Sequence, residues 1–206
     1  MIYYTGDIHG STLEIVTFCM RFKPTKNDTI VILGDVGANY FGDFRDNKLK
    51  EAFSKLEPTI FCIHGNHEAR PWEAGDYDEV LWNGGIVYVE EEYPNILFAK
   101  DGEIYDFDGK KVIAIGGAYS VDKCYRQLMH WTWYPNEIVS SSEHAAALDI
   151  IDHRHFNYVL THTCPTDWQP VDLFMRNLDQ SKVDTTMEEY LDDVLRYIGG
   201  YDYWYF

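Results

Sequence analysis

Apolar residues along the chain gather into short runs, and each of four such runs stops at a cluster of polar, potentially reactive side chains. Residues 1–5 (Met1-Ile2-Tyr3-Tyr4-Thr5), 30–33 (Ile30-Val31-Ile32-Leu33), 59–63 (Thr59-Ile60-Phe61-Cys62-Ile63) and 157–160 (Asn157-Tyr158-Val159-Leu160) read as strands buried on both faces. Between the first two, a helical pattern runs from Ser11 or Thr12 to Phe22 and is stopped by Pro24; Ser11 with Glu14 has the spacing of a capping box. A second helix is predicted over residues 47–56. Strand–helix–strand units of this kind imply parallel strand pairs joined by right-handed crossovers, hence an α/β chain. Residues 70–85 read as an irregular loop anchored by Trp72 and Trp82. From Gly85 onward the runs become short and antiparallel in texture: 86–89, 96–99, 103–107 and 111–115, the last pair joined by an Asp108-Gly109 hairpin turn. Residues 118–135 form a second rim loop. Ser140 with Glu143, and Thr185 with Glu188, have the capping-box spacing for helices to about His153 and to Ile198, the latter ended by Gly199-Gly200. Residues 201–206 read as a last strand.

The ends of the four buried runs carry the chemistry. The first leads into Gly6-Asp7-Ile8-His9-Gly10, the second into Gly34-Asp35, the third into His64-Gly65-Asn66-His67-Glu68 and the fourth into Thr161-His162. In extended backbone residues i and i+2 face the same way, so Asp7 and His9 are expected to aim at one point. Carboxyl ends of strands are where open α/β sheets place their ligands. Each residue has a plainer use: Asp35 as a helix cap, Asn66 as a left-handed turn residue, His162 as a hydrogen-bonded core histidine. Their joint placement at four strand tips points to a metal site. Aspartate, histidine and asparagine suit Mn²⁺, Fe or Zn²⁺ better than soft metals.

In these motifs the chain resembles the calcineurin-like metallophosphoesterase superfamily, including its serine/threonine-phosphatase-like members, whose pattern runs D-x-H, G-D-x-x-D, G-N-H-(D/E), H, G-H-x-H. Gly6-Asp7-Ile8-His9-Gly10 and Gly65-Asn66-His67-Glu68 carry the resemblance most specifically. It implies two mixed β-sheets packed face to face and flanked by helices, in one domain spanning residues 1–206. It also implies two divalent metal ions, Mn²⁺ foremost, with Asp35 as the bridge, Asp7 and His9 completing one site, and Asn66 and His162 the other. A water shared by the ions would attack phosphorus, with His67 as general acid. The expected activity is phosphate-ester hydrolysis, a phosphatase rather than a phosphodiesterase, on a small phosphate ester or a phosphoprotein. A non-catalytic module of the same fold and a nuclease of the superfamily are the alternatives.

Two departures qualify this expectation. The second aspartate of G-D-x-x-D, which in phosphatase-like members orients the catalytic histidine, falls at Ala38, and the arginine that follows it falls at Asn39. His67 therefore needs its carboxylate partner from elsewhere. Arg70 is the expected replacement for phosphate binding, with Asn39, Tyr40, Asn66 and Tyr119 as further candidates along the substrate cleft. The second departure is that G-H-x-H does not occur before Phe206, so a segment bearing it is expected to follow the last strand.

Composition narrows the partners. With 34 acidic and 17 basic side chains the net charge is −17, a field that repels nucleic-acid backbones. A small phosphorylated substrate stays compatible, because bound cations reverse the sign locally. Hydrophobic content of 46% fits a globular chain, and no apolar run approaches membrane-spanning length. Cys19, Cys62, Cys124 and Cys164 show no C-x-x-C spacing and read as reduced thiols of a cytoplasmic protein; with a strand at the very N-terminus, no signal peptide is expected.

Overall fold

In the computed structural model, which describes residues 1–173 and 180–206, the chain forms two β-sheets. The first orders its strands β1-β2-β3-β6-β5-β4, namely β1 (Ile2–Thr5), β2 (Thr29–Ile32), β3 (Thr59–Cys62), β6 (Ile96–Ala99), β5 (Gly85–Val89) and β4 (Asp78–Trp82). Its first four members are parallel, and β5 and β4 run antiparallel at the far edge. The second sheet is β10-β9-β8-β7, with β10 (Gly200–Tyr205), β9 (His155–Thr161) and β8 (Lys110–Ile115) parallel and β7 (Ile104–Phe107) antiparallel.

Period-two alternation in strands apolar on both faces decides how these sheets stack. On β2 and β3, Val31, Leu33, Phe61 and Ile63 point inward and meet Phe107, Val112, Ala114 and Leu160 of the second sheet. The alternate residues Ile30, Ile32, Ile60 and Cys62 face outward beneath α1 (Leu13–Phe22) and α2 (Asn47–Phe53), where Ile15, Leu49 and Phe53 cover them. Ile113, Ile115 and Val159 face the opposite side, under α5 (Ser141–Ile151) and α6 (Thr186–Tyr197). The layers are therefore helix, sheet, sheet, helix. Among the described residues no helix is long and apolar enough to cross a membrane.

Three expectations change. Residues 70–85 are not an irregular loop: α3 (Pro71–Ala74) is followed by β4, which pairs with β5 across an Asn83-Gly84 turn with both residues at positive φ. β4 is a mostly exposed edge strand with Asp78 and Glu79, so it lacks the buried alternation that betrays a strand. Ser11 does not cap α1; its hydroxyl donates to Glu14 at 2.7 Å, and Thr12 stands at the cap without a side-chain bond. Thr185 likewise donates to Glu189 rather than forming a box with Glu188, whose carboxylate instead accepts from the Thr163 hydroxyl at 2.8 Å.

At α5 the capping box forms. Ser140 Oγ accepts from the Glu143 N–H, and Glu143 Oε2 accepts from the Ser140 N–H at 2.8 Å. Ser140→Ala is expected to cost about 1 kcal/mol, lowering the thermal midpoint by about 2–4 °C. An unchanged midpoint in calorimetry would show that the box contributes nothing here.

Candidate active site

The carboxyl ends of β1, β2 and β3 in one sheet and of β9 in the other open onto the same spot. After β1 the chain turns sharply: the His9 N–H donates to the Asp35 carbonyl at 2.8 Å and the Gly10 N–H to that of Val36 at 2.9 Å. The two loops touch so closely that a Cβ on Gly37 would lie 2.5 Å from the Gly10 nitrogen. Both crossing residues are strained, with φ of 44° at His9 and 45° at Asp35, and both bear candidate ligands. Gly65 has no room for a side chain either; a Cβ there would lie 2.1 Å from Asp35 Oδ1. Glu68, fully buried, ties the loops together by accepting from the N–H groups of Gly65 and Gly37. Burial, followed by the nearby Asp35 charge, pushes its carboxyl up to about 8.

The turn at His9 changes the geometry expected of D-x-H. The imidazole stands between two carboxylates, with Nε2 3.4 Å from Asp7 Oδ2 and Nδ1 3.6 Å from Asp35 Oδ2. Asp7 therefore does not share a point with His9 and Asp35. His67 does: ligand atoms of His9, Asp35 and His67 lie within 4.8 Å of one another. Joining Asp7 to this group needs rotation of its side chain and of His9, both about half exposed.

On the other flank, His162 Nδ1 lies 2.7 Å from the Leu33 carbonyl, which can only accept, so Nδ1 carries the proton. A neutral ring then turns the lone pair of Nε2 toward Asn66 Oδ1 at 2.9 Å and Asp35 Oδ1 at 3.7 Å. The asparagine Nδ2 donates to Ser120 Oγ at 2.8 Å, which leaves Oδ1 turned toward His162. In this orientation three acceptors face one another, an arrangement that suits a cation between them. A backbone carbonyl fixing the far nitrogen is how metal-ligating histidines are oriented. Gly34 preserves the arrangement, since a Cβ there would lie 2.0 Å from His162 Nδ1. Burial raises the Asp35 carboxyl, but the hydrogen bond from His67, together with the charge that the His162 and His67 rings carry when protonated, outweighs it and holds the group down to about 2.

A pocket of about 380 Å³ opens over Asp35, lined by His9, Gly37, Tyr40, Phe41, His67 and Arg126. His67 has carboxylates at both nitrogens: Asp35 Oδ2 is 3.2 Å from Nδ1 and Asp122 Oδ1 3.4 Å from Nε2. Burial lowers its basicity, but the bond and charge of Asp35, with Asp122 adding, leave it raised; Arg126 opposes them.

Several candidates sit elsewhere than the cleft reading expects. Arg70 is buried in an ion pair with Asp101, with Nε also donating to the Asn136 carbonyl at 3.1 Å, so it braces the rim and does not line the pocket. The Asn39 side chain is fully buried and accepts from the Tyr77 hydroxyl at 2.9 Å, turned away from the pocket that Tyr40 lines. Tyr119 faces a separate cavity of about 560 Å³ on the far side of His162, with Glu188 and Phe206. Sequence reasoning missed Ser120, Asp122 and Arg126, all within residues 118–135. α4 (Lys123–Leu128) occupies that stretch, and the i,i+4 spacing of Asp122 and Arg126 was the available signal. The family model described as calcineurin-like phosphoesterase matches residues 1–205. No curated protein matches the chain.

Proposed function

The chain belongs to the calcineurin-like phosphoesterase family, and from that premise we propose that it is a phosphatase for monoesters of small molecules or of phosphoprotein side chains, working with two Mn²⁺ ions. The observation that carries this reading is the set of facing acceptors at His162, Asn66 and Asp35, a donor set suited to a borderline divalent cation. Asp35, Asp7, His9, Asn66 and His162 would hold the ions. When bound, the ions supply Lewis-acid activation of the attacking water and neutralise charge on the phosphoryl oxygens. The protein's own groups do the rest. His67, raised toward its protonated form by Asp35 and Asp122, holds a proton at the pocket floor for the leaving oxygen. Tyr40 and Phe41 wall off bulk water. At about 380 Å³ the pocket is at the small end of ligand sites, which favours one phosphoryl group with a single substituent over a diester. The net charge of −17 disfavours nucleic acid. Four free thiols support a reducing, cytoplasmic setting.

Manganese titration of the metal-free chain, followed by assays on p-nitrophenyl phosphate and bis-p-nitrophenyl phosphate, tests the reading. The expected result is two equivalents bound and faster turnover of the monoester. Faster turnover of the diester would make it a phosphodiesterase, and no binding with no turnover would leave an interaction module.

A further inference from the structure

The loop after Asp35 brings neither a carboxylate nor a guanidinium to His67. Ala38 is packed in the core with Ile8 and Val36, and Asn39 is turned to Tyr77. Both kinds of group arrive instead from α4 and its cap. Arg126 Nε donates to both Asp122 oxygens, at 2.9 and 2.8 Å. Its Nη1 donates to the Thr132 carbonyl at 3.2 Å and to the Tyr40 hydroxyl at 3.3 Å, and its Nη2 lies 3.2 Å from His67 Nδ1. The arginine side chain is only 8% exposed, so this is a fixed wall of the pocket and not a solvated surface pair.

The His67 ring is set between these groups: Arg126 Nη2 and Asp35 Oδ2 both stand 3.2 Å from Nδ1, and Asp122 Oδ1 stands 3.4 Å from Nε2. Asp122, fixed by the two bonds from Arg126 Nε, thus borders the ring at the nitrogen that Asp35 does not reach and limits its rotation. Of the five N–H groups of Arg126, three are held by Asp122, Thr132 and Tyr40; Nη2 lies against His67, and the side chain lines the pocket. A guanidinium edge so presented suits phosphoryl oxygens.

We infer that Asp122 is a positioning residue that orients His67 through Nε2, and that Arg126 binds the phosphoryl oxygens of the substrate. α4 thus supplies from a different element what the Ala38–Asn39 loop lacks, and the assignment rests on the phosphoesterase reading above.

The test uses the full, manganese-loaded chain, with inorganic phosphate as the binding probe and two monoesters that differ in leaving group. Asp122→Asn should cut kcat on phenyl phosphate, a poor leaving group, by about 10²-fold, and on p-nitrophenyl phosphate far less. Its KM and its calorimetric affinity for phosphate should stay near those of the wild type. Arg126→Ala should weaken phosphate affinity by about 10- to 100-fold and raise KM in step. Arg126→Lys, which keeps the charge without the fork, should fall between and serves if the alanine variant does not fold. Equal loss on both esters in Asp122→Asn, or a loss of phosphate affinity matching Arg126→Ala, would overturn the positioning role. Unchanged phosphate affinity in both Arg126 variants would overturn the second role. If the wild type neither binds phosphate nor hydrolyses either ester, the phosphoesterase reading itself falls and takes this assignment with it.

Discussion

Asp35→Asn is expected to lower phosphomonoester turnover by about 10³-fold or more, equivalent to about 4 kcal/mol of barrier, while the chain stays folded. Asp35 is the one ligand that both candidate metal sets share: its Oδ2 faces His9 and His67 and its Oδ1 faces His162. Asparagine has the same shape but no charge to place between two cations. The fold should survive because an asparagine Oδ1 still accepts from the His67 N–H, now 2.9 Å from the carboxylate. What is lost is the charge-assisted part of the contact with the His67 imidazole, about 2 kcal/mol, or about 5 °C in a melt. Melts with chelator present separate this from lost metal stabilisation. Turnover within about tenfold of wild type, a barrier change of only about 1.4 kcal/mol, would remove Asp35 from its central place.

Arg70→Met is expected to be the most destabilising single change considered, and to act on stability alone. The Arg70–Asp101 pair is almost wholly buried, at 3% and 8% side-chain exposure. Asp101 also accepts from the Gly116 N–H at 2.6 Å, so the pair anchors the chain where it leaves β8 for the rim. Removing one partner leaves a buried, uncompensated charge, which costs about 3–5 kcal/mol and lowers the midpoint by on the order of 10 °C. Adding Asp101→Asn should restore part of the loss, because the stranded charge is then gone while the Gly116 N–H keeps an acceptor. KM measured well below the transition should be unchanged. A raised KM with an unaltered melt would instead return Arg70 to the substrate.

The sequence marked the candidate metal ligands more clearly than the groups that surround them. Strands β2 and β3 were legible because both of their faces are buried, so the runs are apolar throughout, and the ligands follow directly at their tips. Strand β4 was not, since an edge strand is mostly exposed and mixes acids with apolar residues; the Asn83-Gly84 turn was its one strong signal. Asp7 illustrates a different limit. The i,i+2 rule holds for extended backbone, whereas His9 adopts a left-handed turn forced by contact with the Asp35 loop. Ser140–Glu143 and Thr185–Glu188 share one pattern, yet only the first makes the box, because Thr163 packs close enough to take the Glu188 carboxylate. Arg70 and Arg126 show the same dependence on tertiary contacts. Proximity to a motif favoured Arg70, but Asp101 claims it across the fold, and Arg126 reaches His67 from a segment with no motif at all.

Anomalous diffraction from crystals of the full chain grown with manganese tests the central claim most directly. The account predicts two peaks about 3.5–4 Å apart, with Asp35 between them, His9 and Asp7 on one and Asn66 and His162 on the other. An absence of peaks at saturating manganese, or peaks away from Asp35 with the His162–Asn66 contact intact, would contradict it.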